Sequence, residues 1–355
     1  SRRLALSSER ERAEGLAASV MMVGFEGDVV PAELHDYLKG GAPCGVVLFR
    51  RNLTSTMGSV ALLRALRALW PSGASTPLFA VDQEGGRVQR LKPPHCPEIA
   101  PMPSAGSLAE AGDVSATQTS GALAGRQLSS LGFNLDFAPV LDVDSNPDNP
   151  IIGDRAFGHD PQTVVRHALA WARGLESSGV LACGKHFPGH GDTDQDSHLT
   201  LPRLSLDLER LSEIELPPFQ AAVDAGFGAM MSAHIVFERL DDQWPATLSD
   251  RVLPTLLRDG LSYDGVVFSD DLEMAAIDAH YDAETIARQG LCAGIDVFLV
   301  CRRLDRAAEI RAALVEAACS TPELMARLER AAERVQTLRD RAIDHASSPF
   351  TRVAG

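Results

Sequence analysis

Eight short apolar runs separated by helical patterns constrain this chain more than any other feature. The runs lie at 20–25, 44–49, 78–82, 133–140, 180–186, 229–234, 265–270 and 297–301. Most are apolar at both odd and even positions, as strands covered on both faces must be. Between them, segments 31–39, 59–70, 115–131, 161–177, 214–225, 249–259 and 283–293 place apolar residues at helical spacing. Strand then helix, repeated eight times, predicts parallel α/β structure. Eight repeats favour closure into a (β/α)8 TIM-type barrel over an open doubly wound sheet. Such barrels take ~250 residues and accept insertions, so the 355 residues here fit one domain over 1–355. Within it we expect an N-terminal extension at 1–19, a helix at 302–319 after the last strand, and a helical tail at 321–355.

Composition narrows the function classes. A formal charge of −15 and the absence of a basic stripe argue against a nucleic-acid partner. No stretch approaches the ~20 apolar residues of a membrane span. The segment after Ser1-Arg2-Arg3 is charged and lacks the apolar centre of a signal peptide. A cytoplasmic monomer acting on a small molecule is the expectation. The cysteines Cys44, Cys96, Cys183, Cys292, Cys301 and Cys319 form no C-x-x-C pair and read as small buried hydrophobes.

Chemistry-bearing residues collect where the runs end. The third leads into Asp82-Gln83-Glu84-Gly85-Gly86-Arg87-Val88-Gln89-Arg90, and the fourth through Asp142 and Asp144 to Gly153-Asp154-Arg155. The fifth ends in Lys185-His186, the sixth in Ser232 and His234, and the seventh in Ser269-Asp270-Asp271. A closed barrel brings all these ends to one rim. Side chains alternate along a strand, so Asp270 and Asp271 should point apart. Asp270 continues a buried strand and should face the mouth; Asp271 suits the cap of a helix starting near Leu272. After Lys185-His186 the chain runs Phe-Pro-Gly-His-Gly-Asp-Thr-Asp-Gln to Asp196-Ser197-His198. With Asp196 two residues before His198, the carboxylate can hold one ring nitrogen while the other faces a substrate. Asp192, Asp194 and Asp196 begin like a calcium loop, but Ser197 and Arg203 stand where Gly and Glu are required. His186 and His190 are separated by Pro188-Gly189 and so share no helix face as zinc ligands would. His190 reads equally well as a loop-shaping residue. Gly85 and Gly86 suit a tight turn, since no G-x-G-x-x-G or Walker pattern surrounds them. No metal and no cofactor are expected.

Taken together, the stretches 80–90, 137–143, 153–157, 184–198 and 265–274 resemble glycoside hydrolase family 3, and within it the single-domain bacterial β-N-acetylglucosaminidases of cell-wall recycling. The resemblance implies a retaining, exo-acting β-N-acetylglucosaminidase working on peptidoglycan-derived, GlcNAc-containing fragments. It makes Asp270 the nucleophile and His198 the general acid/base with Asp196 as its partner. It assigns Asp82, Arg90, Arg155, Lys185 and His186 to the sugar subsite; His234 is a plausible neighbour that is not carried over. Many relatives take their acid/base from a domain after the barrel. Here the loop carrying Asp196 and His198 is expected to supply it, moving in when sugar binds, with Asp192 and Asp194 raising the His198 pKa. A β-glucosidase or β-xylosidase, a phosphorylase and an inactive sugar-binding barrel remain open.

Overall fold

The computed structural model describes residues 2–196 and 199–347, with side chains from residue 7 onward. The expected barrel is present. Its strands are β1 (Met21–Val23), β2 (Gly45–Leu48), β3 (Leu78–Val81), β4 (Leu135–Asp136), β5 (Leu181–Phe187), β6 (Ala229–Ser232), β7 (Val266–Phe268) and β8 (Phe298–Val300). Each pairs in parallel with the next in chain order, and β8 returns to β1. Phe268 and Val297 form the parallel bridge that closes the ring between β7 and β8. The Ser269 amide reinforces it, donating to the Val297 carbonyl at 2.9 Å. An open sheet would have reversed its strand order at a switch point; this order never reverses. β4 is shorter than its apolar run because Pro139 has no N–H to give to a ladder. Past it, Leu141 N–H donates to the Lys185 carbonyl at 2.7 Å and holds the chain beside β5.

Helices cover the strands where the periodicity placed them, including Ala32–Leu38, Thr56–Arg67, Val114–Leu131, Pro161–Glu176 and Ala283–Ala293. Their starts are set by side-chain caps: Ser55, Asp113, Asp160 and Asp282 each accept from a backbone N–H three residues on. Two segments depart from the expectation. Residues 208–224 break into a short turn, a π-helical Leu211–Glu215 and a helix Pro217–Asp224, and Leu253–Gly260 is π-helical throughout. Pro217, Pro218 and Pro254 remove donors that regular α turns would need.

The 1–19 segment, expected only as an extension, is a helix over Arg2–Ser19. Its Ala13 and Ala17 are fully buried, and it packs on helices Leu304–Ser320 and Pro322–Arg341. A stripe of alanines among charges gives too weak an apolar rhythm to reveal this. The tail helix Pro322–Arg341 starts at Thr321, whose hydroxyl accepts from Leu324 N–H, and buries Leu324, Leu328, Val335 and Leu338. Cys319 is exposed, against expectation, while Cys44, Cys96, Cys183 and Cys301 are buried. Among the described residues no helix is long and apolar enough to cross a membrane.

Candidate active site

A cavity of about 210 Å³ opens at the C-terminal ends of the strands. Asp82, Arg90, Arg155, Lys185, His186 and Asp270 all line it, together with an apolar wall that includes Phe49, Phe137 and Met274. Phe137 is backed edge-to-face by Phe268, with ring centroids 5.3 Å apart. The hairpin after β3 (Gln83–Gly85 with Val88–Gln89) delivers Arg90. Its turn uses Gly85 at φ +101°, where a Cβ would lie 2.3 Å from the Pro103 carbonyl oxygen.

The cations are fixed by Glu84, a residue of the Asp82–Arg90 run to which the sequence alone gives no role. Lys185 Nζ lies 2.7 Å from Glu84 Oε1 and 3.0 Å from Asp82 Oδ1. Arg155 grips the same carboxylate with both ends of its fork, Nε at 3.0 Å and Nη2 at 2.8 Å. Arg90 stands 3.6 Å from Asp82 Oδ2 and lies over the Phe49 ring. Burial alone would raise the Glu84 carboxyl, but Arg155 and Lys185 overcome it and hold it well below the usual carboxylate range. Conversely, burial would lower Lys185, and Glu84 and Asp82 push it above its ordinary value. The one sequence signal for Glu84 was alternation: Asp82 and Glu84, two apart, share a face.

His186 is held from behind. Its Nδ1 lies 2.7 Å from Asp142 Oδ2, and its backbone N–H donates to Asp142 Oδ1 at 3.1 Å. Lys185 and His186 both reach the cavity although they are adjacent, because the β5–β6 register shifts between Lys185 and Phe187. The following loop is clamped. Asn149 Nδ2 donates to the carbonyls of His190 and Gly191 at 2.8 and 3.1 Å. Gly191 passes so close to Val143 that a Cβ would sit 1.6 Å from its carbonyl oxygen. His190 bonds through Nδ1 to Thr193 Oγ1 at 2.7 Å, and burial lowers its pKa to about 4. It both shapes the loop and lines the cavity.

Asp270 accepts from the Asp271 N–H at 2.8 Å. Burial would raise its carboxyl, yet the imidazoles of His186 and His234, that N–H and Lys185 hold it below the usual value. Asp271 caps no helix. Its Oδ1 accepts from the amides of Glu273 and Cys301 at 3.1 and 3.2 Å, tying the strand end to β8, and the helix begins only at Ala275. Burial pushes Asp271 up to about 7. His234 does not line the cavity: its ring bonds Thr247 Oγ1 and the Asp271 carbonyl, bracing that strand end from behind. Asp196 is absent from the cavity lining; its carbonyl accepts from Leu199 and Thr200 N–H at 2.9 Å. His198 lies outside the described residues. Among the described residues no three His, Cys, Asp or Glu side chains gather as metal ligands would.

An eight-stranded barrel with a carboxylate, cations and an imidazole assembled at its strand ends has the architecture of a barrel enzyme. The glycosyl hydrolase family 3 N terminal domain matches residues 18–338. The chain therefore belongs to glycosyl hydrolase family 3, and so to the glycoside hydrolases. It is 38% identical over 295 residues to a beta-hexosaminidase of Methylococcus capsulatus, covering 82% of this chain and 86% of that protein. It is 36% identical over 297 residues to beta-hexosaminidase A of Pseudoalteromonas piscicida, covering 79% of this chain but only 50% of that protein. Among solved structures, a family 3 beta-N-acetylglucosaminidase from Paenibacillus superposes with a TM-score of 0.85 at 36% identity, over 92% of this chain and 62% of its own. The chain thus spans about half to two thirds of some relatives and most of others.

Proposed function

We propose that the chain is a retaining, exo-acting β-N-acetylglucosaminidase with Asp270 as nucleophile. The observation that carries this is Asp270 at the end of β7, opening on the same cavity as Lys185, Arg90, Arg155 and His186. The beta-hexosaminidase relatives and the beta-N-acetylglucosaminidase neighbour support the sugar assignment. A cavity ringed by strand ends suits a terminal sugar, and peptidoglycan-derived fragments are the substrates this reading expects.

In the first step Asp270 attacks the anomeric carbon. The glycosidic C–O bond breaks and the leaving oxygen takes a proton from His198. In the second, His198 takes a proton from water, which attacks the same carbon and releases the sugar with its β configuration and Asp270 as carboxylate. Lys185, Arg155 and Arg90 carry positive charge to the rim of the sugar, where charged hydrogen bonds are worth about 1.5–3 kcal/mol each. They also favour the ionised nucleophile.

The test compares an aryl β-N-acetylglucosaminide with the matching aryl β-glucoside, then traps the enzyme with a fluorinated N-acetylglucosaminide and maps the labelled peptide. Preference for the former and a label on Asp270 are expected. A label elsewhere, or preference for the glucoside, overturns the assignment.

A further inference from the structure

Resting on the reading above, we propose that Asp142 is a positioning residue that keeps a proton on Nδ1 of His186, so that Nε2 is the only ring atom to gain or lose a proton, inside the sugar cavity. The geometry leaves Asp142 little choice. Its Oδ1 accepts from two backbone amides, those of His186 at 3.1 Å and His190 at 2.9 Å. Amides cannot exchange donor for acceptor roles. That leaves Oδ2, at 2.7 Å from Nδ1.

The carboxyl is completely buried. Burial alone would raise its pKa, but the imidazoles of His186 and His190 and the His190 amide hold it below the usual value. An ionised carboxylate only accepts, so Nδ1 must donate. The ring lines the cavity, and Nε2 is the nitrogen left for a ligand. When the ring is neutral Nε2 accepts from a sugar hydroxyl; when protonated it donates.

Asp142 from beyond β4 bonds the ring, His190 packs edge-on against it, and Lys185, Asp270 and Asp271 line the same cavity. Among the described residues, Asp82, Arg90 and Arg155 also carry charge at the cavity lining. Among the described residues, Asp142 is the one hydrogen-bonded to the ring, so it sets which nitrogen carries the ring proton.

Asp142→Asn tests this without changing shape. Two amide donors still demand an oxygen at the Oδ1 position, so the new NH2 faces Nδ1. Nδ1 must then accept, and the ring proton moves to Nε2. A carboxylate behind a metal-bound imidazole is worth roughly 10–100-fold, and the same scale is taken for this ring. We therefore expect kcat/KM for an aryl β-N-acetylglucosaminide to fall by about that factor.

The readout independent of activity is 15N NMR of the His186 ring, assigned by the signals missing in His186→Gln. Wild type should show a protonated Nδ1, and Asp142→Asn a protonated Nε2. A bare Nδ1 in wild type overturns the proposal, even if the variant does not fold. So does an unchanged tautomer in the variant. If wild type cleaves no aryl glycoside, the glycosidase reading fails, while the spectrum still decides the tautomer.

Discussion

Glu84→Gln is the sharpest test of how the sugar subsite is built. The substitution keeps shape and removes one charge from a carboxylate whose side chain is 6% exposed and which binds two cations. Gln retains one acceptor, so it cannot serve Lys185 Nζ and both arms of Arg155. Lys185 keeps Asp82 at 3.0 Å, but Arg155 loses its bidentate partner while mostly buried. Removing one member of a buried ion pair costs about 3–5 kcal/mol. The exposed pair Arg303–Asp305 provides the contrast, with its side chains 51% and 68% exposed. Asp305→Asn there should leave the urea midpoint essentially unchanged, because solvent screens an exposed pair.

Urea denaturation of both variants measures the difference directly. It also carries a pH signature. The folded-state pKa of Glu84 lies below its unfolded value of 4.5. Its contribution is therefore complete above pH 4.5 and is lost as pH falls below it, so the wild-type advantage over Glu84→Gln should shrink in acid. In activity, the loosened Lys185 and Arg155 should lower kcat/KM by at least about tenfold, the equivalent of 1.4 kcal/mol. A Glu84→Gln protein within about 1 kcal/mol of wild type at pH 7, with unchanged kcat/KM, would refute the idea that this carboxylate organises the subsite.

Other outcomes follow from the same geometry. Asp270→Ala should fold normally by circular dichroism and lose nearly all turnover, since no other group takes over the covalent step. His198→Ala should slow substrates with poor leaving groups far more than activated aryl glycosides; equal loss on both counts against His198 as the acid. His190, with a folded pKa of about 4, stays neutral above pH 6.5. Its stabilising effect should be lost as pH falls from about 6.5 to 4, by roughly 3 kcal/mol. Denaturation midpoints of His190→Gln across that range should lack this slope.

Much of the architecture was legible in the chain itself. Strand–helix alternation needs no partner information: each run announces its element through local periodicity, and eight of them leave few topologies. The rim residues were legible for the same reason, because a parallel barrel delivers every strand end to one face. The first helix was missed because its buried face is made of alanines such as Ala13 and Ala17, which raise little apolar contrast.

What periodicity could not reveal is which rim groups face the cavity and which hold the others in place. His234 sits at a strand end like a site residue, yet its ring bonds Thr247 and the Asp271 carbonyl, while Asp271, which suits a helix cap, lines the cavity and bonds the Glu273 and Cys301 amides. Glu84 and Asp142 lie among the polar residues at the strand ends with no role assigned by the sequence, yet they grip Arg155 and His186, which stand 71 and 44 residues away. Local pattern decided the barrel and the ring of strand ends, because those depend on short-range apolar spacing. Only the closed tertiary structure decided the division of labour among the polar groups, because a buried charge takes whichever partner packing brings within about 3 Å, at any separation along the chain.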